Sequence, residues 1–137
     1  MKLFGTRPVY GQRIFKERRK AERVSTHQTL WVDYRSPIHL NSGSGEGKDL
    51  STCGIRFACY SHYPIGTPLD LKLRIRRDEY AEKIVQAHAF VVRCYRKVVQ
   101  RRYRIACSFS RIDPLALKEI GAFVAWVKAK NANPFLQ

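Results

Sequence analysis

Residues 69–76 alternate apolar and charged side chains without a break, a period of two that is typical of a strand with one buried face. Runs with the same tendency recur along the chain, at residues 27–35, 55–60, 83–95 and 102–109. Turn-forming residues separate many of these runs. Several short strands with frequent turns predict a mainly β fold, namely an antiparallel barrel, because closure removes exposed strand edges.

A single helix is predicted near the C-terminus, over residues 114–130. Asp113 suits the N-cap and Pro114 the first helical position, while Lys128 and Lys130 lie near the negative end of the helix dipole. One apolar face at helical spacing contains Leu117, Ile120, Phe123, Val124 and Val127. We expect this face to cap the barrel. Trp126 lies partly off the face; core packing is its favoured role, and contact with a partner is the alternative.

The length of 137 residues, 45% of them hydrophobic, suits one compact domain. Residues 1–17 mix Gly, Pro and charge without periodicity and are predicted to be a flexible arm, while residues 131–137 form a tail. Residues 41–48 are rich in Gly and Ser and are predicted to be a flexible loop. The G-x-x-x-x-G-K-[ST] spacing is missing and no helix pattern follows, so a phosphate-binding loop is disfavoured.

The chain shows the features of a cytoplasmic protein. No apolar run approaches the roughly 20 residues needed to span a bilayer, and the basic N-terminus lacks the apolar core of a signal peptide. The cysteines, Cys53, Cys59, Cys94 and Cys107, contain no Cys-x-x-Cys unit, so free thiols are expected in a reducing compartment. Because three of the four lie in strand-like runs, we expect small buried side chains.

The net charge of +15 predicts an anionic partner. Two regions carry most of it: residues 1–23 hold eight Lys or Arg, and residues 72–104 hold eleven. The second region includes a predicted basic hairpin over residues 93–104. A solvated loop is one interpretation of this hairpin, and contact with an acidic protein, nucleic acid or anionic lipid is the other.

Two short motifs lie in the first half of the chain. Arg19 and Arg23 form an Arg-x-x-x-Arg pair, a spacing that sixteen arginines would produce about twice by chance. The sequence Asp-x-Ser-x-x-Gly, at Asp49, Ser51 and Gly54, is expected in only a few per cent of chains of this length at about one in twenty per residue type. The second motif therefore carries most of the specificity.

In this order and spacing, with Ile55-Arg56-Phe57 after the second motif, the chain resembles the PilZ domain family of bacterial receptors for cyclic di-GMP. The resemblance extends over most of the sequence, through Pro64-Ile65-Gly66, Val91-Val92-Arg93 and residues 103–109. Ala106 departs from the glycine that is usual in the family. The resemblance implies a PilZ domain over residues 18–130, built as a six-stranded antiparallel β-barrel with a C-terminal α-helix packed on it.

The resemblance also implies the ligand and the residues that bind it. Cyclic di-GMP carries two phosphodiesters and two guanines, which suits flat, permanently charged guanidinium groups. The predicted ligand-binding residues are Arg18, Arg19, Arg23, Asp49, Ser51 and Gly54. Asp49 can accept hydrogen bonds from guanine N1–H and N2–H, Ser51 can donate one, and Gly54 leaves room for close approach. Arg18, next to the first motif arginine, favours two stacked ligand molecules per protomer.

We expect a single-domain receptor without an attached output domain, in which ligand binding changes the surface shown to a downstream protein in motility, exopolysaccharide synthesis or signalling. No catalysis, metal or cofactor is predicted, because the histidines and cysteines lack metal-ligand spacing and no catalytic triad context is found. A basic barrel that binds nucleic acid through Trp31, Tyr95 and Tyr103 is one alternative. A PilZ module that binds proteins without ligand is another.

Overall fold

The computed structural model describes residues 24–25, 29–77, 81–97 and 102–132. Within these ranges, seven strands precede one helix. The strands are β1 Val24–Ser25, β2 Leu30–Ser36, β3 Asn41–Leu50, β4 Gly54–Cys59, β5 Pro68–Ile75, β6 Lys83–Lys97 and β7 Arg102–Ile112, and the helix is α1 Pro114–Ala132. In the part of the chain so described, the helix is too polar to cross a membrane.

Six of the strands close into an antiparallel barrel, as predicted. The order is β3-β2-β5-β6-β7-β4, and pairing between β3 and β4 completes the ring. The two-residue strand β1 adds to β3, where Val24 pairs with Leu50 and Ser25 with Asp49. The alternation in β5 is confirmed, since its four apolar residues are buried and point into the barrel with the core residues of the other strands.

The flexible loop predicted at residues 41–48 is wrong: these residues are the first eight of β3. The glycines permit close packing rather than flexibility. A Cβ on Gly45 would meet the carbonyl oxygen of Ala58, and one on Gly47 would overlap the side chain of Leu30. A strand with larger residues here would have to move away from its neighbours, so the composition reflects the tight curvature of the barrel.

Helix α1 begins as predicted and extends two residues further, to Ala132. The Leu115 amide donates to Asp113 Oδ1 at 2.7 Å, which confirms the N-cap. The buried face contains Ile120, Phe123, Val124 and Val127, joined to the barrel core. Leu117 was predicted on this face but is 38% exposed, because the buried stripe runs through Ala116 and Ile120 and leaves Leu117 at its edge.

Two further predictions concern Trp126 and the cysteines. Trp126 is half-buried against the Phe123 ring, with 5.8 Å between ring centroids, and Lys130 Nζ lies 4.9 Å from the Trp126 ring centre. All four thiols are free, but only Cys59 and Cys107 are buried, whereas Cys94 is half-buried and Cys53 is exposed. Cys53 lies in the turn before β4, outside any strand.

The barrel has two different ends. Helix α1 lies near the start of β6, where Glu119 forms an ion pair with Lys83. At the other ends of the strands, residues 37–40 join β2 to β3 and residues 60–67 join β4 to β5. Tyr63 of the second segment donates a hydrogen bond of 2.6 Å from its hydroxyl to Oδ1 of Asn41, the residue that directly follows the first segment. We call these two segments, together with Arg96 and Arg102 of the β6–β7 hairpin, the hairpin end.

Candidate functional site

The Asp-x-Ser-x-x-Gly motif forms the sharp turn between β3 and β4. Ser51 Oγ accepts hydrogen bonds from the amides of Cys53 at 3.1 Å and Gly54 at 3.2 Å, and the Ser51 amide donates to the Gly54 carbonyl at 2.9 Å. Ser51 is buried. Its hydroxyl therefore shapes the turn through its lone pairs, which leaves only its proton for the donor role predicted from the sequence.

Gly54 brings β4 close to β7. It pairs with Ser108, and a Cβ at this position would meet the carbonyl oxygen of Cys107. The close backbone approach predicted for Gly54 is therefore made by a neighbouring strand. Any larger residue would push β4 away from β7 and move the motif turn with it.

Asp49 lies at the end of β3 with only 7% of its surface exposed. It pairs with Arg56 of β4, and its Oδ2 accepts hydrogen bonds from Arg56 Nε at 2.7 Å and from Arg56 Nη2. The hydrogen bond that Arg56 donates to Asp49 is the largest cause of the raised pKa of the Arg56 guanidinium, and Tyr95 makes a smaller contribution. The carboxylate assigned to guanine recognition is thus already bound by an arginine.

Asp49 and Arg56 belong to a row of residues that crosses four strands. Arg56 pairs with Ala106 of β7, and Ala106 pairs with Arg93 of β6. The next outward-facing row on β7 and β6 is Arg104 paired with Tyr95. We call the surface made by these outward side chains the arginine face; it consists of Asp49, Arg56, Arg93, Tyr95 and Arg104. Three guanidinium groups and one carboxylate make it cationic.

A β-bulge in β6 sets the composition of this face. Val91 pairs with Cys107 but Arg93 pairs with Ala106, so Val92 is an extra residue in β6. An extra residue shifts the alternation of a strand by one, which changes the face that each later side chain occupies. Arg93 and Tyr95 are exposed as a result, while Cys94 is turned towards the core.

Arg56 was not among the predicted site residues, and Tyr95 was named only for the nucleic-acid alternative. Arg93 and Arg104 were assigned to a basic hairpin, and their position on one face was not predicted. The available signal was strand periodicity: residues two apart lie on the same face, so Arg93 shares a face with Tyr95, and Arg104 shares one with Ala106. The pairing of the strands, which no local pattern reveals, was needed to bring these residues together.

The predicted arginines Arg18, Arg19 and Arg23 lie outside the described residues. Arg23 is bonded to Val24, the first residue of β1, and β1 runs beside the Asp49 end of β3. The strand that directly follows Arg23 therefore lies beside Asp49 of the second motif.

A cavity of about 960 Å³ lies on a different part of the barrel wall, among β2, β3, β5, β6, the end of β7 and the start of α1. It contains none of the predicted binding residues. Asp70 in this cavity accepts hydrogen bonds from Arg35 at 2.7 Å and His88 at 2.8 Å, and Asp33 is bound by Arg74 and Ser44. The lining of this cavity holds three Asp side chains against three Lys or Arg side chains. We therefore assign the candidate site to the arginine face, where cations are in excess.

Metal-binding clusters and buried thiols are the remaining chemical features of the described ranges. Among residues 24–25, 29–77, 81–97 and 102–132, no group of three or more His, Cys, Asp or Glu side chains could hold a metal ion. Burial raises the pKa of the Cys107 thiol to about 12 and also raises that of Cys59, so both stay protonated at neutral pH. The arginine face offers planar, permanently charged donors, which suit an anion that carries a planar group.

Comparisons with known proteins agree with this fold. The PilZ domain family model matches residues 17–126. No curated protein sequence matches the chain.

Three solved structures have a similar fold. The Bacillus subtilis inhibitor of motility (MotI/DgrA) is 14% identical, with a TM-score of 0.67 over 84% of this chain and 52% of that chain. The PilZ domain with c-di-GMP of YcgR from Escherichia coli is 12% identical, with a TM-score of 0.58 over 83% and 94%. The K. pneumonia MrkH–c-di-GMP complex is 15% identical, with a TM-score of 0.60 over 84% and 55%.

At such identities the similarity to solved structures concerns the fold. The chain spans about half the length of the inhibitor of motility and of MrkH. The match of the family model covers more than half of the chain and includes both motifs and residues 114–126 of the helix. This chain therefore belongs to the PilZ domain family.

Proposed function

We propose that the protein is a receptor for cyclic di-GMP and that the arginine face forms one side of its binding site. The supporting observation is that Arg56, Arg93 and Arg104 lie on one face of the neighbouring strands β4, β6 and β7, and that Arg56 binds Asp49 beside β1, the strand that follows Arg23. Arginine binds phosphate oxygens bidentately and also stacks on bases, so one residue type serves both parts of this ligand.

Arg104 adds a donor that fits an anionic ligand. Its Nε is buried, and none of the described residues accepts a hydrogen bond from it. A buried donor without a partner is costly, and a phosphate oxygen would satisfy it. Tyr95, in the same row, offers an aromatic surface on which a guanine can stack.

The Asp49–Arg56 pair gives the proposed site two states. Without ligand, Arg56 occupies Asp49 Oδ2. In the ligand-bound state, the guanine N1–H and N2–H groups replace Arg56 at this carboxylate, and Arg56 turns to a phosphate. The number of charged hydrogen bonds is conserved in this exchange, which keeps its cost low.

Arg18, Arg19 and Arg23 complete the proposed site from the segment before β1. Binding would bring residues 18–23 onto the arginine face and present a new surface to a downstream protein in motility, exopolysaccharide synthesis or signalling. Arg18 supplies the additional cation that a second, stacked ligand molecule requires, so the proposed stoichiometry is two molecules per protomer. The protein acts through binding in this scheme and needs no catalysis or cofactor.

Isothermal titration of cyclic di-GMP tests the receptor proposal. We expect binding to the wild-type protein and not to Arg19→Ala/Arg23→Ala, whereas Asp49→Ala and Arg104→Gln bind at least about tenfold more weakly because each loses a charged hydrogen bond. The Arg111→Gln variant is the matched control, since Arg111 lines the large cavity instead. Absence of heat with the wild-type protein contradicts the proposal, and loss of binding only in Arg111→Gln moves the site to that cavity.

A second candidate function is binding of single-stranded nucleic acid, which the placement of Tyr95 beside Arg93 and Arg104 favours. Aromatic and cationic side chains on one face bind bases by stacking and the backbone by charge. Fluorescence anisotropy with a labelled oligonucleotide would show strongly salt-dependent binding that Tyr95→Ala weakens. Cyclic di-GMP binding without oligonucleotide binding favours the receptor proposal.

A further inference from the structure

The hairpin end exposes an unusual amount of apolar surface. Leu40 is 86% exposed and Ile65 is 75% exposed, and Ile38 and Tyr60 are also mostly exposed. These residues lie on two segments that the Tyr63–Asn41 hydrogen bond holds together, and Arg102 lies over the Tyr60 ring at 5.7 Å. Single exposed apolar residues are common, but several on adjoining loop tips indicate a contact surface.

The backbone of Leu40 supports a role for this exposure. Leu40 has a φ of 57°, the only positive value at a non-glycine position in the described residues. Two hydrogen bonds to Ser36 fix this conformation. The Leu40 amide donates to the Ser36 carbonyl at 2.9 Å, and the His39 amide donates to Ser36 Oγ at 3.0 Å. Leucine is an unfavourable choice for the left-handed region, where Asn or Gly would relieve strain and reduce apolar exposure.

The charge around this surface has one sign. Residues 34–45 and 57–69 contain no Asp or Glu, and residues 83–112 contain eight Lys or Arg and no acid. Exposed Arg96 and half-buried Arg102 lie at the base of the β6–β7 hairpin. Asp70, which follows the second segment on β5, is ion-paired with Arg35. A second copy of the chain would meet like charges here, so self-association is disfavoured.

We propose that the hairpin end binds an anionic membrane surface, with Leu40, Ile65, Ile38 and Tyr60 entering the interface and the arginines contacting lipid headgroups. Aliphatic side chains on separate protruding tips suit a soft bilayer interface better than a fitted protein pocket. Arginine attracts acidic headgroups, and a tyrosine is suited to the boundary between headgroups and acyl chains. This docking is independent of nucleotide binding.

Vesicle co-sedimentation of the full chain tests the proposal. We expect binding to vesicles of phosphatidylcholine with phosphatidylglycerol, much weaker binding to phosphatidylcholine alone, and weakening as salt rises from about 0.1 M to about 0.5 M. Leu40→Asn/Ile65→Ser should reduce the partition coefficient at least about tenfold, because two aliphatic side chains no longer leave water. Arg96→Gln should reduce it by about fivefold through loss of one surface-bound charge.

Matched control variants distinguish insertion of the hairpin end from non-specific adsorption to vesicles. Leu115→Ser removes an equally exposed leucine (75%) from α1, and Lys72→Gln removes an exposed charge from β5; both should bind as the wild-type protein does. Asn is well suited to the left-handed region, so circular dichroism should show Leu40→Asn/Ile65→Ser folded. If the wild-type protein ignores anionic vesicles, or if this double variant binds as well as the wild type, membrane docking is wrong and an acidic protein becomes the expected partner.

Discussion

The Asp49 carboxylate is almost fully buried, and Arg56 on the neighbouring strand β4 donates hydrogen bonds to it. Burying a charge costs free energy unless the charge is paired, and removing the partner leaves this cost uncompensated. The pair therefore contributes to stability and also occupies the proposed guanine site. Each role can be measured separately, because stability is observed without ligand.

We expect Arg56→Gln to lower the free energy of unfolding by about 2 kcal/mol, since the Asp49 charge loses its main donor while Arg56 itself is partly solvated. Asp49→Asn/Arg56→Gln should cost less than the sum of the single changes, by about 1 kcal/mol or more. Urea unfolding of the four proteins measures this coupling. Additive effects would show that the pair makes no net contribution.

A second residue-scale prediction concerns Asp70. Burial alone would raise the pKa of this carboxyl, but hydrogen bonds from His88 and Arg35 outweigh it and hold the pKa below its ordinary value. A depressed carboxyl pKa stabilises the fold above the unfolded-state value of about 3.9, and this stabilisation is lost as the pH falls through the lower folded-state value. Unfolding between about pH 5 and pH 2 should therefore become less pH-dependent in Asp70→Asn; equal slopes would contradict this.

At the scale of elements, β3 shows how composition can mislead. Its glycines were interpreted as a flexible loop, yet Gly45 and Gly47 are positions where neighbouring chains leave no space for a Cβ. Glycine has no side chain with which to show alternation, so strand periodicity is invisible in such a segment. The helix was easier to predict because its N-cap and apolar spacing lie in one continuous segment.

Gly45→Ala should destabilise the protein by about 2 kcal/mol or more, because the new methyl group meets the Ala58 carbonyl oxygen and forces β3 and β4 apart. Gly121→Ala is the matched control: its Cβ would meet only the Thr52 methyl group at 4.0 Å, and alanine favours the helix by up to about 1 kcal/mol. Thermal melts followed by circular dichroism compare the two. A tolerated Gly45→Ala would mean that β3 can move without cost.

At the scale of the whole molecule, the predicted barrel and helix are confirmed, and the sequence motifs and family resemblance were sufficient for both. The composition of the arginine face was not predicted, because it depends on the register between β3, β4, β7 and β6 rather than on any one segment. Arg18, Arg19 and Arg23 lie outside the described residues, so their part in the site stays a prediction.

The proposed switch predicts a pattern of hydrogen exchange across the molecule. Adding cyclic di-GMP should slow exchange of the amides in residues 18–25 and of the Asp49–Arg56 region, while the amides of α1 exchange as before. Mass spectrometry of peptides measures this directly. Protection limited to β3 and β4, without residues 18–25, would contradict the proposed movement onto the arginine face.

The extra residue Val92 has a consequence for comparing this protein with its relatives. Consider a relative that lacks the extra residue in its sixth strand but is otherwise identical there. After the site of the bulge, the opposite set of its side chains would face solvent. An alignment that places a gap one position away would then match Arg93 with a core residue and Cys94 with a surface residue. Equivalent residues of this strand in two relatives are therefore best identified by their pairing partners on β7, where Ala106 and Arg104 face outwards.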